Sequence, residues 1–268
     1  MQALDLDKVK RVELELLTTF HEYCEENGLN YFMCYGTLLG AVRHQGFIPW
    51  DDDIDVAMPR NDYEKLYASF PADHQDSHIK LVSYRDKTSI YPFFKLIDTR
   101  TEVREDFVDP QYISGVWIDI FPIDGIPANN RPFKANRRAK RKYNFTVGDT
   151  SKGTTPFRAL VKRVLTPLLA APDIYLEAAR LDELAATIPP DPNGDVGVIV
   201  WGEGERERMP YASLNTTKLP FEGREFYALA NYEDYLTRIY GDYLELPPAE
   251  DRKPHAMHAI WVAEELYE

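Results

Sequence analysis

The alternation of apolar and polar positions predicts a helix and then a short buried strand at the start of the chain. Within 5–27 the apolar residues recur at spacings of three, four and seven, which places them on one helical face: Leu6, Val9, Leu16, Phe20 and Cys24. Asn27-Gly28 is a stop signal for that helix. Segment 29–35 is short, aromatic and apolar, which is typical of a buried strand.

The later segments predict a mixture of helices and strands. Residues 36–46 predict a short helix capped by Thr37, and Asn61 or Asp62 is placed to cap a helix through Tyr67. Strand patterns follow at 78–84, 91–105 and 114–125, and the short turns between them favour antiparallel pairing. Helical patterns then occupy 131–187 and 233–248, the second ending before Pro247, with a short strand between them at 195–202.

The composition is that of a globular protein. Of 268 residues, 44% are hydrophobic and 13% aromatic, which excludes a mainly disordered chain. The two cysteines, Cys24 and Cys34, cannot form a disulfide scaffold and are expected to be buried free thiols. The chain has no run of 18 uncharged apolar residues and no signal-peptide pattern. We therefore expect a cytoplasmic protein.

The charge is distributed unevenly along the chain. The net charge is −13, yet residues 131–163 hold eleven lysines and arginines against one acid, Asp149. That segment therefore carries +10 and the remainder carries −23. The acidic average argues against nonspecific binding of nucleic acid, but it describes neither part of the chain.

The densest acidic cluster is Asp51-Asp52-Asp53, followed by Ile54 and Asp55. In a strand, the two-residue period places Asp53 and Asp55 on one face. Carboxylates held this close repel one another, and a bound cation relieves the repulsion. Upstream, Gly36-Thr37 stands at a strand-to-helix junction, where exposed backbone N–H groups bind phosphate. Together the two features indicate metal-assisted phosphoryl chemistry.

Other interpretations of the acidic cluster fit less well. A solvated acidic turn does not account for the strand pattern that continues into Val56. A calcium-binding EF-hand loop from Asp51 needs glycine at its sixth position and glutamate at its twelfth, where the chain has Val56 and Asp62. A glycosyltransferase with an Asp-x-Asp metal motif stays an alternative, but it leaves Gly36-Thr37 unexplained.

Three segments resemble the LicD family, whose members are phosphocholine transferases of bacterial cell-surface polysaccharides related to fukutin-type ribitol-phosphate transferases. They are YGTLLGAVRHQGFIPWDDDIDVAMPRNDYEKL, WIDIFPIDGIP and YLTRIYGDYLELPPAEDRKPH. The resemblance implies an α+β fold of the nucleotidyltransferase type, similar to DNA polymerase beta, with a mixed sheet flanked by helices. It implies a catalytic core at 1–130, a basic helical insertion at 131–187 and a C-terminal part at 188–268 that completes the catalytic domain.

The resemblance also implies a reaction. Phosphocholine, or a similar phospho-alditol group, would pass from a CDP-linked donor such as CDP-choline to a hydroxyl of a cell-surface glycan or its lipid-linked precursor, releasing CMP. Two alternatives stay open. One is a nucleotidyltransferase that moves a nucleotide from a triphosphate to a small molecule and releases pyrophosphate. The other is a metal-binding relic without turnover.

The resemblance assigns roles to particular residues. Asp53, Asp55 and Asp119 correspond to the catalytic carboxylates that bind Mg²⁺ or Mn²⁺, and Asp119 would also assist removal of the acceptor's proton. Asp124 is the alternative third carboxylate, although its neighbour Gly125 suggests a turn. Gly36 and Thr37 correspond to the phosphate-contacting pair.

Five further residues are expected to contact the donor: Arg43, His44, Lys95, Arg252 and His255. Pairing with Asp51 is the alternative for Arg43, and a hydrogen-bonded structural role is the alternative for His44. The motif that holds Arg252 and His255 would fold back over the site, with simple docking of its helix as the alternative. Trp50 and Tyr35 are expected in the core, and Asp51 and Asp52 in supporting roles.

The basic segment has three interpretations: a solvated helical face, a nucleic-acid patch, or a surface for anionic lipid or polymer. The nucleic-acid interpretation is the weakest, because the aromatic interleaving is thin and no known module matches. The third is favoured, since PFRALVKRVLTPLLA clusters its cations on one side of an apolar helix. We therefore expect 131–171 to attach the protein peripherally to the inner face of an anionic membrane.

Overall fold

A mixed sheet flanked by helices organises the computed structural model, which describes residues 2–106, 108–109, 111–148, 173–252 and 257–263. The described helices are α1 (Leu6–Asn27), α2 (Tyr35–His44), α3 (Arg60–Asp73), α4 (Arg131–Val147), α5 (Ile174–Ala185) and α6 (Tyr232–Tyr240). The strands of the first half are β1 (Gln2–Ala3), β2 (Phe32–Met33), β3 (Asp55–Pro59), β4 (Ile79–Val82), β5 (Phe94–Glu105) and β6 (Ser114–Ile126). Those of the second half are β7 (Asp195–Gly197), β8 (Met209–Pro210), β9 (Thr216–Phe221), β10 (Arg224–Leu229) and β11 (Met257–Trp261).

The main sheet has the order β1-β11-β5-β6-β3-β2, with β4 also paired to β5, and β7 to β6 and then to β8. Strands β9 and β10 form a separate hairpin. The pairing of β3 with β6 is parallel, whereas β4–β5 and β5–β6 are antiparallel, as the turn lengths predicted. The predicted α+β class is consistent with this mixture of sheet and helices.

An irregularity in β5 lets two strands share one of its edges. The register shifts between Asp98 and Val103, so β4 pairs with the first half of β5 and β11 with the second. Thr101 stabilises this bend, because its hydroxyl donates to the Asp98 carbonyl and accepts from the Val116 N–H, both at 2.7 Å. Gly115 is required opposite, since a Cβ there would lie 2.3 Å from the Asp98 carbonyl oxygen.

The core lies between the sheet and its helices. Helix α1 packs on β5 and β6 and buries the face that its apolar spacing predicted, including Leu16 and Phe20. Helix α3 packs on β3, β4 and β6, and its Tyr63 ring stacks on Phe94 of β5 at 3.9 Å between centroids. Cys24 and Cys34 are buried free thiols, as expected.

Helix boundaries correct several predictions. Helix α2 begins at Tyr35, so Thr37 lies inside its first turn and does not cap it. Helix α3 begins at Arg60, and Asp62 accepts hydrogen bonds from Asn30 instead of capping. Helix α6 ends at Tyr240, well before Pro247, because Gly241 adopts a φ of +77°.

A buried ion network joins α3, β6 and α5. Arg60 donates to both carboxylate oxygens of Asp124 at 2.7 Å and to Asp182 at 2.8 Å. Arg85 donates to Glu64 and Asp182, and the Tyr84 hydroxyl donates to Asp182. Asp124 is only 1% exposed and fully engaged by Arg60. The structure therefore gives Asp124, the alternative third carboxylate, a structural role.

Helix α4 is the described part of the basic segment. It buries Phe133, Asn136, Tyr143 and Val147 and exposes six cations, Arg131, Lys134, Arg137, Arg138, Arg141 and Lys142. Residues 149–172, including the apolar part of the predicted membrane-facing stretch, lie outside the described residues. Attachment of 131–171 to an anionic surface and the three-part division of the chain stay predictions. Among the described helices, none has the length and apolar character to cross a bilayer.

Candidate active site

Three neighbouring strands bring two carboxylates and a lysine into one row. Asp55 of β3 lies opposite Asp119 of β6 in the parallel register, and Asp119 lies opposite Lys95 of β5 in the antiparallel register. The Asp119 N–H donates to the Ile54 carbonyl at 2.8 Å and holds the two carboxylate strands together. The row contains two of the three predicted catalytic carboxylates. Asp53 lies two residues before β3 instead of within it.

Lys95 is held in an aromatic enclosure beside Asp119. Its ammonium lies 3.2 Å from Asp119 Oδ1 and 3.7 Å and 4.0 Å from the ring centroids of Trp117 and Tyr91. The residue is 2% exposed. The structure thus directs Lys95 at a carboxylate, and its predicted contact with donor phosphate stays a prediction.

The start of α2 is fastened to the start of β3. Thr37 Oγ1 accepts from the Asp55 N–H at 2.7 Å, and the Asp55 carbonyl accepts from the Cys34 N–H at 3.1 Å. A Cβ on Gly36 would lie 2.7 Å from Asp51 Oδ2. The Gly-Thr pair and the acidic cluster are therefore in direct contact, as their combination in the sequence predicted. The first N–H groups of a helix have no acceptor within the helix itself, so a helix start favours an anion.

The carboxylates carry an excess of negative charge. Burial raises the pKa of Asp55 well above its usual value, and Asp53, Asp119 and Asp51 raise it further. Burial also raises the pKa of Asp119, while Lys95 opposes that rise. Glu13 of α1, which no local pattern in the sequence marks, faces the same cluster, and burial together with Asp53 raises its pKa strongly.

This donor set fits a hard divalent cation. All three predicted ligands are carboxylates, the oxygen donors that a hard divalent cation prefers, and Asp119 Oδ1 has the Lys95 ammonium as its neighbour at 3.2 Å. Within the described residues, however, no three Asp, Glu, His or Cys side chains are already spaced to hold one ion. The set Asp53, Asp55 and Asp119 as metal ligands stays a prediction.

A buried carboxyl behind the site holds Tyr35. The Tyr35 hydroxyl donates to Glu207 Oε1 at 2.8 Å, and the Glu203 N–H donates to the same oxygen at 2.7 Å. Tyr35 begins α2 at a φ of 45°, a left-handed conformation, directly before Gly36-Thr37. Glu207 is 1% exposed, and burial raises its pKa to about 7. Sequence reasoning missed it because it is 172 residues away from Tyr35.

This raised pKa makes stability depend on pH. Below pH 4.5, the usual pKa of this side chain, Glu207 is protonated in both the folded and the unfolded protein. Between pH 4.5 and about 7 it ionises only in the unfolded protein. Stability is therefore lost as the pH rises through this window. Because glutamine does not ionise, we expect the free energy of unfolding of Glu207→Gln to increase by about 3 kcal/mol relative to that of wild type as the pH rises from 4.5 to 8. Urea unfolding of both proteins across that range measures the difference, and parallel pH profiles would contradict the assignment.

A cleft of about 520 Å³ runs along one side of α2. Gly36, Leu39 and Arg43 line it from the helix, and Trp50, Asp51 and the segment from Tyr240 to Pro248 line the other side. Arg43 Nη1 donates to the carbonyls of Tyr243 and Glu245 at 3.2 and 3.3 Å. Arg43 therefore fastens this segment to α2.

The remaining predicted donor residues lie around Trp50 or outside the described chain. The His44 ring contacts the Trp50 edge, and burial lowers the pKa of His44. Arg252 lies with its guanidinium 5.1 Å from the Trp50 ring centroid and donates to the Pro247 carbonyl. The C-terminal motif thus reaches the cleft, which agrees with its predicted return to the site. His255 lies outside the described residues.

Comparison with known proteins identifies the class to which this fold and site belong. The family described as LicD/FKTN/FKRP, nucleotidyltransferase domain, matches residues 28–146, a range that runs from just before β2 to nearly the end of α4. Lipopolysaccharide cholinephosphotransferase LicD of Haemophilus influenzae is 31% identical over 276 residues, covering 98% of this chain and 100% of the relative. The chain therefore belongs to the LicD family, and the predictions of this family and of a transferase enzyme are confirmed.

Two shorter matches are similar to part of the chain. An uncharacterised protein of Rickettsia prowazekii is 44% identical over 57 residues, which is 21% of each chain. Another from Rickettsia typhi is 48% identical over 48 residues, 18% of this chain and 16% of the relative. Neither name adds a function.

Proposed function

We propose that this protein transfers phosphocholine from CDP-choline, or a closely related CDP-linked donor, to a hydroxyl of a saccharide acceptor and releases CMP. The observation that carries the proposal is the contact of the Gly36-Thr37 helix start with the in-register pair Asp55 and Asp119. The full-length similarity to a lipopolysaccharide cholinephosphotransferase supports the choice of group and acceptor. We further propose that the sheet and helices form a nucleotidyltransferase fold like that of DNA polymerase beta.

The donor's diphosphate would lie at the start of α2. The absence of a side chain at Gly36 keeps this approach open, and the Thr37 hydroxyl is already committed to the Asp55 backbone. Asp53, Asp55 and Asp119 would hold Mg²⁺ or Mn²⁺, which supplies neutralisation of diphosphate charge when bound. The reacting phosphorus would then lie beside the β3–β6 pair, where Asp55 and Asp119 are in register.

The reaction would exchange one phosphorus–oxygen bond for another. The acceptor hydroxyl oxygen forms a bond to the choline-bearing phosphorus, the bond from that phosphorus to the CMP oxygen breaks, and CMP leaves with the electron pair. Asp119 would accept the hydroxyl proton as general base. The Lys95 ammonium, 3.2 Å away, holds the Asp119 carboxylate in place.

The proposal is tested by incubating the protein with Mg²⁺, a lipopolysaccharide acceptor and CDP-choline, CDP-ribitol or CDP-glycerol in turn. We expect CMP release and phosphocholine incorporation with CDP-choline, both abolished by a chelator. A nucleotidyltransferase would instead release pyrophosphate from CTP. Pyrophosphate release without any CMP from the three CDP-linked donors would overturn the proposal in favour of that alternative.

A further inference from the structure

The cleft beside α2 begins at the phosphate-contacting helix start and leads away from it. Gly36, Leu39 and Arg43 are spaced at i, i+3 and i+7, so one face of α2 forms its floor over about 10 Å. Whatever group is attached to a phosphate at Gly36 would enter this cleft. Two groups of a CDP-linked donor qualify, the nucleoside and the transferred head group.

The opposite wall combines aromatic rings with acids. Trp50, Tyr240 and Tyr243 line it together with Asp242 and Glu245. In the described part of the chain the carboxylates of Asp242 and Glu245 have no ion-pair partner. Tyr240 lines the cleft together with Gly36 and Asp51. Partial burial and the charge of Asp55 both raise the pKa of its hydroxyl.

Two arginines at the cleft donate to backbone oxygens, while Arg43 Nε is buried without a hydrogen-bond partner in the described part of the chain. Arg43 donates to the carbonyls of Tyr243 and Glu245, and Arg252 donates to the Pro247 carbonyl. The Arg252 guanidinium also lies 5.1 Å from the Trp50 ring centroid, so this indole already interacts with one positive charge. Both arginines therefore fix the backbone of the wall, and Asp242 and Glu245 stay available to a ligand.

We propose that this cleft binds the quaternary ammonium of the transferred group, and the inference rests on the proposed function. A trimethylammonium group donates no conventional hydrogen bond and is recognised by aromatic faces and nearby carboxylates, which is the chemistry of Tyr243, Asp242 and Glu245. An uncharged alditol lacks the positive charge that aromatic faces and carboxylates attract together. A nucleoside can donate its amino and hydroxyl groups to the same acids, and the affinity for CMP distinguishes it from the head group. Tyr243, Asp242 and Glu245 are thus specificity-determining residues for a cationic head group.

The test is binding of three compounds measured by isothermal titration calorimetry with Mg²⁺ and without acceptor. The compounds are CDP-choline, its uncharged isostere CDP-3,3-dimethylbutanol, in which carbon replaces the ammonium nitrogen, and CMP. We expect wild type to bind CDP-choline about 10-fold more tightly than the isostere. In Tyr243→Leu and in the double variant Asp242→Asn/Glu245→Gln this preference should fall below about 3-fold, while the Kd of CMP stays within about 2-fold.

The matched control is Glu250→Gln, which removes the same charge from an exposed residue two positions beyond Pro248, the last residue lining the cleft. It should keep the full preference. Thermal unfolding midpoints equal to that of wild type establish that the variants are folded.

Three results would overturn the inference. Equal affinity of wild type for CDP-choline and its isostere would show that the cleft does not recognise the positive charge of the ammonium group. A loss of CMP affinity as large as the loss of CDP-choline affinity would place the nucleoside in the cleft. No measurable binding of any of the three compounds by wild type would exclude a donor site altogether. Binding with the expected preference but without CMP release would instead retain the cleft assignment and reject the proposed transfer reaction.

Discussion

Replacing Asp55 with asparagine is expected to lower the rate of CMP release by about 10³-fold or more. Asp55 occupies the centre of the site. Its N–H donates to Thr37, its register partner is Asp119, and the charges of Asp53 and Asp51 raise its pKa. An amide keeps the shape of the side chain but removes the negative charge that would hold a divalent cation. Initial rates of CMP release with saturating CDP-choline and Mg²⁺ measure the loss.

The fold of this variant should survive. Burial and the neighbouring acids raise the pKa of Asp55, so the ionised side chain is unfavourable in the absence of a cation. We therefore expect Asp55→Asn to have a thermal midpoint at least as high as wild type without Mg²⁺, and to lose the upward shift that Mg²⁺ gives wild type. Asp76→Asn, in an exposed turn after α3, is the control and should behave as wild type. Activity retained in Asp55→Asn would remove Asp55 from the mechanism.

Arg60→Met is expected to lower the free energy of unfolding by about 3–5 kcal/mol. The substitution would leave Asp124 and Asp182, which are 1% and 3% exposed, without the guanidinium that lies between them. A buried carboxylate without its partner has a desolvation cost that the folded state cannot recover. Urea unfolding at neutral pH measures the change, with Arg138→Met on the exposed face of α4 as the control for loss of an arginine.

A second variant separates lost packing from uncompensated charge. If charge is the cause, Arg60→Met/Asp124→Leu should recover part of the stability lost in Arg60→Met, because it removes one of the two buried carboxylates. A double variant that is less stable than the single one by the full cost of a second core substitution would show that packing, not charge, accounts for the loss.

Local sequence patterns were sufficient to predict those helices and strands whose apolar spacing is visible within the element itself. The apolar spacing of α1 and the alternation in β5 and β6 predicted these elements within a few residues. Asp53 and Asp55 were predicted as a pair from the two-residue period of a strand, and Asp119 was predicted from the family resemblance because Ile118 and Ile120 alternate with it. The Gly36-Thr37 pair was predicted because a strand-to-helix junction is visible in the sequence.

Interactions between distant segments could not be read in the same way. Glu207 is joined to Tyr35, and Arg60 to Asp182, across more than one hundred residues, so no periodicity links them. Thr37 was taken for a cap because hydroxyl residues favour that position, but its hydroxyl accepts from Asp55 of the next strand. The end of α6 is different, because the sequence does hold a local signal for it: Gly241, six residues before the Pro247 that was used as the limit.

The position of β11 has a consequence for how the protein is made. This strand, near residue 260 of the sequence, lies between β1 at residues 2–3 and β5, so β1 leaves the ribosome long before the strand that pairs with it in the described sheet. Until β11 is translated, the second half of β5 also lacks the strand that pairs with one of its edges. The nascent chain can assemble β3, β5 and β6 early, but the sheet is completed only after translation has passed Trp261.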